Sequence, residues 1–170
     1  SIGSLIALNF AANFQKKLNS LTLIATTYKR NEKQRQEVID RVNLAKLNKP
    51  ISKLALKRWF NDEYLKNNQN IYHEFMKTLK KNPEDQKNFI KAYELFAQYK
   101  DNVEKIKKIN TKTLVMTGSN DPGSTPKMSK NLSNDLNYSS YIEINNGKHL
   151  CSIECADDVN IKIKEFLENV

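Results

Sequence analysis

The stretch Thr113-Leu114-Val115-Met116-Thr117-Gly118-Ser119-Asn120-Asp121-Pro122-Gly123-Ser124-Thr125-Pro126 passes from one kind of local structure to the next. Residues 113–117 are apolar and β-prone, which predicts a buried strand. Gly118 ends it, and Asn120-Asp121-Pro122-Gly123 has the composition of a turn. Thr125 and Pro126 then supply an N-cap and a first-position proline for a helix predicted over 126–136. The chain next repeats the theme. Ser140-Tyr141-Ile142-Glu143-Ile144 predicts a second strand, and Asn145-Asn146-Gly147-Lys148-His149-Leu150 a loop. Val159, Ile163, Phe166 and Leu167 form one apolar side of a final helix over 155–168. Strand, helix, strand, helix with short links implies parallel strands joined by right-handed crossovers, an α/β architecture. Sites in such sheets gather beyond the carboxyl ends of the strands, where Asp121 and His149 both fall.

Toward the N-terminus, Leu21-Thr22-Leu23-Ile24-Ala25-Thr26 predicts another buried strand. Before it, Leu5, Leu8, Ala12 and Phe14, with Ala7 and Ala11, give the apolar stripe of a helix over 4–18, and Lys16 and Lys17 suit its C-terminal end. Residues 29–108 contain no glycine and only Pro50 and Pro83, and they are charged and helically periodic. Helices are predicted over 32–46, 51–58, 62–81 and 84–100. In the last, Phe89, Ala92, Tyr93, Phe96 and Ala97 recur at helical spacing and read as packing between helices. The predicted organisation is a helix and strand over 1–28, a helical insertion over 29–108, and the remainder of the α/β core over 109–170.

Composition narrows the class. A chain of 170 residues, 39% hydrophobic, is one domain's worth with a lean core. No window reaches the length of a transmembrane helix, and the start lacks the basic region of a signal peptide. The formal charge of +9 comes from 28 basic and 19 acidic residues. They alternate, as in Glu104-Lys105-Ile106-Lys107-Lys108, which reads as solvated helix faces rather than a nucleic-acid surface. A basic surface also draws in small anionic substrates. His149, Cys151 and Cys155 lie close in sequence, but no further ligand pair stands at a recognised zinc spacing, so neither metal nor cofactor is expected. Two free thiols fit a reducing, cytoplasmic setting.

The chain has four glycines where average usage gives roughly three times as many. Gly3 follows Ser1, Gly118 and Gly123 flank Asp121, and Gly147 precedes His149. Glycine serves where the backbone needs positive φ or close approach, which predicts three tight loops around Ser1, Asp121 and His149. A serine nucleophile needs a base, and the base needs an acid to fix its tautomer. Those three residues supply one of each, in the chain order Ser, Asp, His of the α/β-hydrolases. The other histidine, His73, sits in a helical segment and reads as an ordinary, partly exposed residue. Ser1-Ile2-Gly3 is the second half of a G-x-S-x-G elbow, and the Ile2 amide at the helix start could donate to an oxyanion.

On these residues the chain resembles the C-terminal portion of an α/β-hydrolase, and is most similar to 3-oxoadipate enol-lactonases. Ser1-Ile2-Gly3-Ser4-Leu5-Ile6-Ala7 resembles the elbow and its helix, with Ser4 where many members have glycine. Lys57-Arg58-Trp59-Phe60 resembles a segment of the helical cap, residues 117–126 the acid loop, and Gly147-Lys148-His149-Leu150 the histidine loop. The resemblance implies about three parallel strands with flanking helices and an inserted cap. It implies Ser1 as nucleophile, His149 as base and then acid, Asp121 orienting it, and Trp59 roofing an acyl pocket. The implied substrate is a small ester or lactone, anionic in the lactonases, with no nucleic acid or membrane as partner.

By the same comparison the family's first five strands lie outside these residues. The chain would then be a fragment whose activity alone stays open. The edge of residues 21–26 would lack a neighbour, and exposed apolar edges recruit partners. A homodimer or a complementing N-terminal chain is therefore expected. The competing reading is a non-catalytic basic helical interaction module, which accounts for the charge but leaves the placement of Asp121 and His149 to chance.

Overall fold

The computed structural model describes residues 1–47, 51–79 and 83–170. In chain order the described elements are α1 (Ile2–Phe14), β1 (Ser20–Ile24), α2 (Glu32–Lys46), α3 (Ser52–Trp59), α4 (Asp62–Asn67), α5 (Gln69–Leu79), α6 (Pro83–Gln98), α7 (Val103–Ile106), β2 (Lys112–Gly118), α8 (Pro126–Asp135), β3 (Ser139–Ile144), α9 (Cys151–Glu154) and α10 (Ala156–Leu167). The chain divides into two compact units. One joins Ser1–Lys29 to Asp101–Val170, and the other is Arg30–Lys100.

In the first unit three parallel strands lie in the order β1-β2-β3. The register pairs Leu23 with Val115, and Val115 with Tyr141. Helices cover both faces, so the middle strand is buried from Thr113 to Gly118 and reads as a continuous apolar run. On one face Leu21, Leu23 and Val115 pack with Leu8 and Ala11 of α1, Ile106 of α7, and Met128 and Leu132 of α8. On the other, Leu114, Met116 and Ile144 pack with Cys151, Val159 and Phe166. Each fully buried leucine among them contributes about 1.5–3 kcal/mol of transfer free energy.

Three local devices set the ends of these elements. The Ser4 hydroxyl of α1 donates to the Ile24 carbonyl at 2.7 Å, tying the start of the helix to the end of β1. Ala25 has a φ of 52°, so the chain turns there, and the strand expected to run on to residue 26 stops at Ile24. The Thr125 hydroxyl accepts the Met128 amide and Pro126 opens α8, as the sequence anticipates.

In the helical unit, Asn31 and Gln34 form a capping box at the start of α2. Val38 and Val42 of α2 pack with Ala97, Tyr93 and Phe96 of α6, the core role read from those aromatics. The Arg30 guanidinium lies over the Phe96 ring and donates to the Phe96 and Tyr99 carbonyls. The single helix expected over 62–81 is two helices. Asn68 leaves helical geometry, with φ −127° and ψ 61°. Its side-chain amide donates to the Tyr64 carbonyl at 2.9 Å, satisfying an acceptor that a continuing helix would have used. The last residues of that expected helix, and Pro50, lie outside the described residues. Among the described residues no helix is long and apolar enough to cross a membrane.

Candidate functional site

The acid loop begins where β2 ends. Thr117, the penultimate residue of the strand, donates its hydroxyl to the Ser124 carbonyl at 2.8 Å and so holds the loop's far end. Inside the turn, Asp121 Oδ1 accepts the amides of Gly123 at 2.8 Å and Ser124 at 2.9 Å. Its other oxygen, Oδ2, lies 2.8 Å from His149 Nδ1. The Asp121 side chain is 0% exposed and that of His149 15%. A carboxylate taken out of water is expensive unless its lone pairs are satisfied, and these contacts occupy both oxygens. With Nδ1–H directed at Asp121, Nε2 is the ring atom left to accept a proton.

The histidine loop is locked to the acid loop by backbone contacts. The Ser119 amide donates to the Ile144 carbonyl at 2.9 Å, and the Asn120 amide to the Gly147 carbonyl at 2.9 Å. Gly118 and Gly147 make this approach possible. A Cβ at Gly118 would sit 2.2 Å from the Gly147 oxygen, and one at Gly147 would sit 2.7 Å from the Cys151 Cβ. Close approach, one of the two uses expected of glycine, is therefore the operative one. None of the glycines has a positive φ; the left-handed residue of the loop is Asn146, at 57°. Gly3 differs, since a Cβ there would meet nothing within 4 Å.

Ser1 occupies the N-cap position of α1, and its side chain makes no capping hydrogen bond. Its main-chain nitrogen lies 3.4 Å from the Ile24 carbonyl, at the carboxyl end of β1. Ser1, Asp121 and His149 stand respectively beyond the carboxyl ends of β1, β2 and β3. Ile2 is the first residue of α1, where a helix has no preceding carbonyls to take its amides.

Trp59 ends α3 in the helical unit, edge-on to Phe75 at 6.2 Å between ring centroids. His73 is an exposed residue of α5 beside Tyr72. Cys151 and Cys155 are free. Burial pushes the Cys151 thiol up to about 11, helped by the neighbouring Cys155 and Asp121. Among the described residues no three His, Cys, Asp or Glu side chains converge as metal ligands would. Glu154 is a participant that the sequence does not flag. Its carboxylate accepts the Lys148 amide at 2.8 Å, and an acid in the first turn of a short helix gives no other sign of that role.

A profile of the Ndr family matches residues 1–170. The chain belongs to the Ndr family. This Ndr-family chain is 27% identical over 172 residues to an (E)-2-((N-methylformamido)methylene)succinate hydrolase of Acinetobacter baylyi, covering 99% of the chain and 63% of that protein. Among solved structures it is similar to the enol-lactonase from Burkholderia xenovorans LB400, with a TM-score of 0.88 and 20% identity, over 99% of the chain and 63% of the lactonase. It is similar also to MGS-M2, an α/β-hydrolase from a Medee basin deep-sea metagenome library, with a TM-score of 0.84 and 18% identity, over 99% of the chain and 62% of that enzyme. The chain spans about 63% of the length of these relatives. Its fold is the C-terminal part of an α/β-hydrolase, as the resemblance implied.

Proposed function

We propose that this chain carries the nucleophile, base and acid of a serine hydrolase acting on a small ester or lactone. The observation that supports the reading best is the 2.8 Å contact between His149 Nδ1 and the buried Asp121 carboxylate. In the proposed reaction Ser1 Oγ attacks the carbonyl carbon while His149 Nε2 takes the hydroxyl proton. Asp121 holds the ring in that tautomer and stabilises the imidazolium. The Ile2 amide donates to the developing oxyanion, where one such donor contributes about 10²–10³ in rate. His149 returns the proton to the leaving oxygen. Water, deprotonated in turn by His149, then attacks the acyl carbon; the bond to Ser1 Oγ breaks, His149 returns the proton to that oxygen, and the acid is released.

The relatives suggest the substrate class. One is named for a succinate derivative and another for an enol-lactone, and the formal charge of +9 favours approach of an anionic compound. We therefore propose an anionic ester or lactone.

A fluorophosphonate probe tests the assignment. It should label the protein at Ser1, and Ser1→Ala should abolish the labelling. Label retained in the Ser1→Ala variant would refute the nucleophile.

A further inference from the structure

We propose that Glu154 is a positioning residue for His149, acting through the main chain of the histidine loop. The inference rests on the hydrolase reading for its consequence, but its geometry stands apart from it. The residue before the histidine, Lys148, is held at both its amide and its carbonyl. Its amide donates to Glu154 Oε2 at 2.8 Å, and its carbonyl accepts the Cys151 amide at 3.2 Å. The Glu154 amide donates to the Leu150 carbonyl at 3.0 Å, so one residue closes the turn on both sides of His149. The preceding carbonyl, that of Gly147, accepts the Asn120 amide of the acid loop.

These bonds leave the segment 147–150 little freedom to rotate. The direction in which His149 leaves the backbone, and hence its reach to Asp121, follows from that constraint. A carboxylate accepting a main-chain amide is a charge-assisted bond, stronger than a neutral one. Through the Lys148 amide the Glu154 carboxylate fixes the Gly147–Lys148 peptide, one residue ahead of the ring.

The chain has two histidines, so a His73→Gln background leaves His149 as the one imidazole to follow by NMR. In that background Glu154→Gln keeps an acceptor oxygen at the same reach, Glu154→Asp withdraws it by one methylene, and Glu154→Ala removes it. The expected result is a Lys148 amide that exchanges about tenfold or more faster in the Ala and Asp variants, as loss of a bond to a charged acceptor predicts. The His149 Nδ1–H resonance should broaden into solvent in those two and persist in Glu154→Gln. Should Glu154→Ala fail to fold, the Asp and Gln pair still decides. A Nδ1–H resonance and a Lys148 exchange rate unchanged in Glu154→Asp, or lost equally in Glu154→Gln, would overturn the proposal. Neither readout depends on turnover, so failure of fluorophosphonate labelling at Ser1 would sink the hydrolase reading without touching this one.

Discussion

Gly118 and Gly147 lie back to back where the acid loop leaves β2 and the histidine loop leaves β3, with the Gly118 Cα 3.4 Å from where a Gly147 Cβ would stand. Gly118, the last residue of β2, pairs with Ile144 of β3, and Gly147 lies three residues past that partner in the histidine loop. A methyl group has no room in this contact.

Gly118→Ala should therefore be strongly destabilising. The added Cβ would meet main-chain atoms of Gly147 and Lys148 at 2.2–2.4 Å, and backbone cannot swing aside as a side chain does. The expected cost is about 1–3 kcal/mol, read from the shift in urea midpoint. Gly3→Ala is the control, since it meets open space, and it should be neutral or stabilising in its helix. Equal costs at the two positions would show that packing of the loops is not the reason.

Asp121→Asn separates the two jobs of that side chain. Asn keeps an Oδ1 to accept the Gly123 and Ser124 amides, so the turn should survive with little change in thermal midpoint. Its amide group, however, would face His149 Nδ1 as a donor and favour the wrong tautomer. If the proposed mechanism holds, hydrolysis of a chromogenic ester should fall by about 10⁴ in kcat. A loss smaller than tenfold would contradict the role given to Asp121.

Stability should depend on Asp135 in a defined pH window. Burial by itself would raise its carboxyl. Hydrogen bonds from Lys29 and the Tyr28 hydroxyl, with the charges of Lys29 and Lys107, outweigh that and hold it below the ordinary 3.8. A depressed folded-state value stabilises the native protein above the unfolded-state value, and that contribution fades as pH falls through the folded one. The difference in unfolding free energy between the protein and Asp135→Asn should hold steady from neutral pH down to about 5 and shrink below about pH 4. A difference that stays constant down to pH 2 would rule the linkage out.

The thiols should be slow to react. Burial raises Cys151 to about 11, and Cys155, also raised by burial and by Glu154 and Asp158, is half-exposed. Since the thiolate is the reactive form, iodoacetamide at pH 8 should modify Cys155 first and Cys151 only as the protein unfolds. Mass spectrometry of a time course checks the order, and early modification of Cys151 would be the contrary result.

Much of this arrangement is legible in short stretches of sequence. The apolar run 113–117, the Thr125-Pro126 start of α8 and the chain order of Ser1, Asp121 and His149 each depend on neighbours within a few residues, and each predicted strand appears close to where its composition puts it. Periodicity was less informative where a single side chain decided the outcome. Asn68 lies inside a run with helical spacing, yet its bond to the Tyr64 carbonyl ends α4 and starts a new helix. Ala25 likewise looks like strand, and alanine, unlike glycine or asparagine, does not mark a left-handed turn.

The site itself divides along the same line. Turn chemistry and hydrophobic period are local properties, so the chain specified from its own composition which residues stand beyond the ends of the strands. Whether those residues meet is a matter of distances across the sheet. The register that sets β2 beside β3 brings Asp121 to His149, 28 residues away in sequence, and turns Gly118 and Gly147 from loop punctuation into the contact that lets the two loops touch. Glu154 belongs wholly to this second category, because its value lies in the Lys148 amide it accepts and in nothing that its own neighbours along the chain announce.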